Sequence, residues 1–144
     1  MDTFFISYRK TKLKRGQFIH SIRIPLFQNN IFKAYKVSKR FDDDISSVCA
    51  AFNLEIIKNK IKSVRIAYGG MAAIPKRAIY CEKILLNSLV TEEIIHKAKV
   101  ALEKDFKPIS DMRASGLYRM EVAKNLLEKC CIEIKKKKTI GLYI

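Results

Sequence analysis

The chain has 144 residues, 49% hydrophobic and 10% aromatic, enough apolar material for one packed domain and too much for a disordered polymer. Its 29 basic against 14 acidic residues give a formal net charge of +15; the excess is mostly lysine with no Arg-rich segment, so a solvated basic surface accounts for it better than nucleic-acid binding, and a polyanion-binding module is the alternative. No segment has the ~20 apolar residues that span a membrane, and Cys49, Cys81, Cys130 and Cys131 show no CxxC spacing, which argues against a metal centre and for buried thiols in a reducing, cytoplasmic compartment.

Residues 1–16 run from apolar to strongly basic, with no secretory signal and no pattern long enough to assign. Phe18–Ile24 (FIHSIRI) alternates and stops at Pro25, which predicts a first strand. Its apolar face carries His20, read as a core or interface histidine. Gln28-Asn29-Asn30 is a turn signal, and Phe32–Lys39 is a second strand. Over Ile45–Ile57 a helix is possible, but Val48, Ala50, Phe52, Leu54 and Ile56 share a period-two face, which favours a long strand. Lys58-Asn59-Lys60 reads as a three-residue turn into a strand over Ile61–Tyr68, making a hairpin.

Gly69-Gly70 breaks that strand, and Arg77–Asn87 reads as a short helix. Thr91–Phe106 predicts a longer helix: Thr91 caps it, Glu92 and Glu93 sit in the first turn, and Pro108 ends it. Ser115 opens a last helix to about Ile134, with a stripe of Leu117, Met120, Ala123, Leu127, Cys130 and Ile134. The apolar end TIGLYI has no assignment. Strands first and helices last predict an α+β fold, an antiparallel β-sheet with helices packed on one face.

Few residues carry candidate chemistry. There is no GxGxxG and no Walker-type loop, and Gly69-Gly70 fits a tight turn better than a phosphate cradle. Ser, His and Asp occur in no spacing that selects a triad, so no catalytic residue is assigned. His96 reads as solvent-facing. Asp42-Asp43-Asp44 supplies hard oxygen ligands, yet no further acidic residue follows at loop spacing, so no metal site is assigned. The most informative stretch is AYKVSKRFDDDI (Ala34–Ile45): a strand end, then Lys39 and Arg40, then three carboxylates, where scaffolds often hold ligand-contacting groups. Lys36 alternates onto the face of Ala34 and Ser38, where its ammonium could approach a flat, electron-rich ligand. A surface lysine whose stem covers apolar area is the simpler account.

Three segments in order, AYKVSKRFDDDISSVCAAF (Ala34–Phe52), IKSVRIAYGGMAAIPKRA (Ile61–Ala78) and SDMRASGLYRMEVAKNLL (Ser110–Leu127), resemble the C-terminal domain of the FAD-binding subunit of molybdenum hydroxylases. The small, FAD-binding subunit of bacterial xanthine dehydrogenases shows a similar pattern, and Phe4–Pro25 resembles the connection that enters that domain. The resemblance implies an α+β domain that walls one side of an FAD ring, with Ile19 against the ring, Lys36 at its polar edge, and Asp43 in the loop bordering flavin and nicotinamide. It implies as partners an FAD-binding N-terminal domain, iron–sulfur and molybdenum-cofactor domains or subunits, and NAD, in purine oxidation. SDMRAS reads as a structural turn and helix start. The expected division is 1–24 as opening segment and first strand, 25–136 as the α+β domain and 137–144 as a tail. With no Gly-rich loop, the chain is expected to be inactive without the domain that grips FAD.

Overall fold

The longest strands form where the period-two alternation is cleanest. The computed structural model describes residues 3–25, 29–40 and 44–136. Strands β3 (Asn30–Val37), β4 (Val48–Ile57), β5 (Lys60–Gly69) and β6 (Lys76–Arg77) lie in that order in one sheet, every neighbour antiparallel. A short hairpin, β1 (Phe5–Ser7) and β2 (Lys10–Thr11), stands apart from it. Helices α1 (Ile79–Leu85), α2 (Glu92–Asp105) and α3 (Gly116–Lys136) follow. Strands then helices, with the helices on one face, is the expected α+β order.

On β4 the side chains of Val48, Ala50, Phe52 and Leu54 are buried under the helices, joined by Ile61, Val64, Ile66 and Tyr68 of β5. Tyr35, Phe52, Tyr68 and Phe106 run through this core with ring centroids 5.8, 5.9 and 5.4 Å apart. The Tyr68 hydroxyl donates to the Ala123 carbonyl at 3.0 Å, so a buried phenol is satisfied. Glu133 of α3, only 2% exposed, accepts from the Tyr35 hydroxyl at 2.9 Å and pairs with Lys33 at 3.2 Å and Lys129 at 3.3 Å. Those pairs offset the cost of burying a carboxylate and fix the end of α3 over β3.

The helix starts follow local chemistry. Thr91 caps α2 by accepting from the Ile94 amide. Ala78 cannot cap α1, and buried Asp105 does so from the end of α2, accepting from the amides of Tyr80 and Cys81 at 2.9 Å each. Buried Glu82 accepts from the Ile66 amide at 2.8 Å and from Arg77 at 3.1 and 2.5 Å, extending the ladder beyond the two residues of β6.

Several expectations are corrected. Residues 17–25 form no strand. Among the described residues they have no partner strand, and Phe18, Ile19, Ile22 and Ile24 are exposed. His20 is exposed, so it is no core histidine. The β4–β5 turn has two residues rather than three, because Ile57 pairs with Lys60. Leu117 is 87% exposed and leaves the α3 stripe, where Leu126 and Cys131 are buried instead. Three cysteines are buried, but Cys49 is exposed. Among the described residues no helix is long and apolar enough to cross a membrane.

Candidate functional site

Directly opposed residues of paired strands point to the same face. The sheet face away from the helices therefore carries Phe32, Asn53 and Arg65 in one row, Ala34, Ala51 and Ala67 in the next, and Lys36, Cys49 and Gly69 in the third. The middle of this open face is a floor of small side chains. Phe32, 66% exposed, rises at one side, and the exposed ammonium stem of Lys36 borders the other. Asn30 donates to Asn53 across β3 and β4 at 3.0 Å, closing the floor beyond Phe32. A flat floor with cations at its margins, Lys36 at one end and Arg65 in the Phe32 row at the other, suits a planar group with a polar edge.

The charged bend leaves β3 at the Lys36 end of that floor. Asp44 folds it: its carboxylate accepts from the Arg40 amide at 3.1 Å, the Arg40 guanidinium at 3.4 Å and the Ile45 amide at 2.9 Å. The Arg40 guanidinium and amide hold the Asp44 carboxyl below the usual carboxylate range. Ser47 then donates its amide to Val37 at 2.8 Å and leads into β4.

The Ser110–Ser115 segment grips the outside of the bend. Lys39 donates to the Met112 carbonyl at 2.8 Å, and the Ser47 hydroxyl reaches the Arg113 carbonyl at 3.5 Å. Asp111 shapes the segment by accepting from the Arg113 and Ala114 amides at 2.9 and 3.1 Å. The Arg113 amide first, then Arg119, with the Ala114 amide behind them, hold the Asp111 carboxyl down at about 2. Arg119 of α3, 3% exposed, donates through Nη1 to the carbonyls of Ser47 and Gly70 and through Nη2 to Asp111 at 2.6 Å. Between bend and segment lies a cleft of about 360 Å³, lined by Lys39, Arg40, Asp44, Ile45, Ser47, Met112 and Arg113.

Of the three residues singled out by resemblance, Lys36 stands on the open face beside the bend. Ile19 lines a different groove, of about 440 Å³, with Thr3, Phe4, Lys12, Ser21, Ile22 and Arg23; Lys36 has no part in it. Asp43 lies outside the described residues. The sequence reading missed Cys49 and Arg119. Cys49 is opposed to Lys36 only through the β3–β4 register, which no local pattern reveals. Arg119 is the buried charge beside Met120, and its signal is the SDMRAS motif eight residues before it, whose Asp111 is its partner.

Known proteins resemble this chain in sequence and in fold. The family described as the CO dehydrogenase flavoprotein C-terminal domain matches residues 33–134. A xanthine dehydrogenase of Emericella nidulans is 37% identical over 110 residues, covering 74% of this chain and 8% of that protein. The glyceraldehyde dehydrogenase medium chain of Sulfolobus acidocaldarius is 29% identical over 132 residues, covering 91% of this chain and 46% of its own. The fold matches a carbon monoxide dehydrogenase from Hydrogenophaga pseudoflava with a TM-score of 0.82 at 23% identity, over 88% of this chain and 44% of that one. It matches a quinoline 2-oxidoreductase from Pseudomonas putida 86 with a TM-score of 0.82 at 20% identity, over 96% of this chain and 48% of that one. The chain thus spans under half of each of these proteins.

Proposed function

The chain belongs to the CO dehydrogenase flavoprotein C-terminal domain family, and we propose that its open sheet face is one wall of an FAD site in a molybdenum hydroxylase of the xanthine dehydrogenase type. The observation that carries this reading is the floor of Ala34, Ala51, Ala67, Cys49 and Gly69 with Lys36 at its margin. Small side chains let a planar ring approach the backbone closely. Bulky ones in those rows would hold it off.

When bound, the flavin supplies the redox chemistry, receiving electrons from iron–sulfur clusters and giving them to NAD. Lys36 places positive charge at the ring's polar edge, where negative charge builds on reduction. Arg40 and Asp44 border the nicotinamide side with compensating charges; the role that the resemblance gives Asp43 there falls outside the described residues. Ile19 caps the ring from the segment that leads into the sheet. The pyrophosphate and adenosine of FAD are held by an FAD-binding N-terminal domain, and the substrate, a purine such as xanthine, is oxidised on the molybdenum partner. The chain contributes binding and electrostatics rather than a catalytic group. Reduced thiols suit a cytoplasmic location.

The test combines the chain with its flavin domain and FAD. Yellow, flavin-containing complex should co-elute, and maleimide labelling of Cys49 should slow at least fivefold when FAD is present. Ala51→Phe should abolish FAD retention without loss of fold. Lys36→Ala should lower the flavin potential by ~20–30 mV, the equivalent of about 1 kcal/mol for a two-electron couple. A wild-type mixture that retains no FAD and leaves Cys49 labelling unchanged sinks the reading.

A further inference from the structure

Three chain segments meet on one side chain. The Arg119 guanidinium takes the Ser47 carbonyl, where the charged bend enters β4, the Gly70 carbonyl, where β5 ends, and the Asp111 carboxylate, beside the Met112 carbonyl that receives Lys39. These ends are close-packed: a Cβ on Gly70 would collide with the Ser47 carbonyl and press on Arg119 Nη1 at 3.1 Å. A planar fork aims donors from two separate nitrogens, Nη1 at the two carbonyls and Nη2 at the carboxylate, whereas the three N–H bonds of lysine diverge from one nitrogen and do not match that spread. A guanidinium buried this far is costly unless paired, so the site tolerates few other arrangements.

We infer that Arg119 is the positioning residue that sets the charged bend against the open sheet face, through the Ser47 carbonyl on one side and the Asp111–Met112 segment on the other. It touches no ligand itself. Its effect is to fix where Lys39, Arg40 and Asp44 stand relative to Lys36. The consequence for the nicotinamide side rests on the flavin reading, whereas the clamp on the bend does not.

The experiment compares wild type with Arg119→Lys, and with Asp111→Asn, which loosens one arm should the first variant fold poorly. On the full chain, trypsin cleavage after Lys39 and Arg40 is timed against cleavage after Lys58, in the turn at the opposite end of β4. Cleavage in the bend should speed at least tenfold while cleavage at Lys58 changes less than twofold. A merely structural role would accelerate both. In the assembled enzyme with FAD, the variant should raise KM for NAD about fivefold and change kcat less than twofold. Selective cleavage with a wild-type assembly that takes up no FAD upholds the clamp and removes the flavin reading. Equal acceleration at both places, no acceleration at either, or a KM for NAD unchanged in an FAD-loaded variant overturns the positioning role.

Discussion

Gly70 has φ +80°, and a Cβ there would collide with the Ser47 carbonyl oxygen. Gly16 has nearly the same φ, +82°, but a Cβ there would meet nothing within 4 Å. The pair separates backbone strain from collision. Gly16→Ala should cost about 1 kcal/mol, the left-handed penalty alone. Gly70→Ala should cost roughly 3 kcal/mol, because the Ser47–Arg119 contact must also shift. Urea unfolding of both variants checks this; equal losses would show that the collision is relieved cheaply.

Asp111 gives a residue-scale pH dependence. Its carboxyl has an ordinary value of 3.8 and is lowered to about 2 in the fold, first by the Arg113 amide and then by Arg119. A depressed folded value means that the stabilisation is fully present above about pH 4. It is lost as pH falls through about 2, when the folded carboxylate takes up its proton. Thermal unfolding between pH 5 and pH 2 should therefore be less pH-sensitive in Asp111→Asn than in wild type, although the variant is weaker at pH 7. Parallel curves for the two proteins would remove Asp111 as a contributor.

At the scale of elements, the β4–β5 hairpin turns on Lys58 and Asn59, both left-handed with φ 49° and 62°. That is the two-residue turn whose twist matches the flanking strands, and Asn-Gly is its preferred pair. Replacing Lys58→Asn together with Asn59→Gly should raise stability by about 1 kcal/mol and the melting temperature by a few degrees. No gain would mean that local contacts of Lys58 offset its strain. The strands on either side were legible because Val48 to Leu54 and Val64 to Tyr68 each bury one side chain in two against helices. Phe18–Ile24 alternates equally well and forms no strand, since alternation records only which face is apolar and a strand also needs a neighbour. Leu117 fitted a helical stripe for the same reason, but α3 turns its first residues outward, with Gly116 against Pro108 and Arg119 on the buried side. Of the candidate site, the sequence alone singles out Lys36 and the bend as candidates. The floor that Lys36 borders depends on register across three strands, and the Arg119 clamp on contacts 49 and 72 residues apart in sequence.

For the whole molecule, the open sheet face, the segment before it and the bend leave much apolar surface in water: Phe18, Ile22, Ile24, Phe32 and Ile45 are all more than half exposed. Patches of that kind usually meet another surface. The formal charge of +15 opposes two copies meeting there. The balance should shift with ionic strength, because repulsion between exposed charges is screened over ~30 Å at ~0.01 M salt but over less than ~10 Å above ~0.1 M, while apolar attraction is not weakened. Sedimentation should find the chain monomeric at ~0.01 M salt and associating at ~0.5 M. Phe32→Ser, on the open face, should reduce that association, and adding the flavin domain should abolish it by covering the same surface. A chain that stays monomeric at every salt concentration would mean that this surface is not adhesive on its own, and the proposed partner would then need its flavin to hold the two halves together.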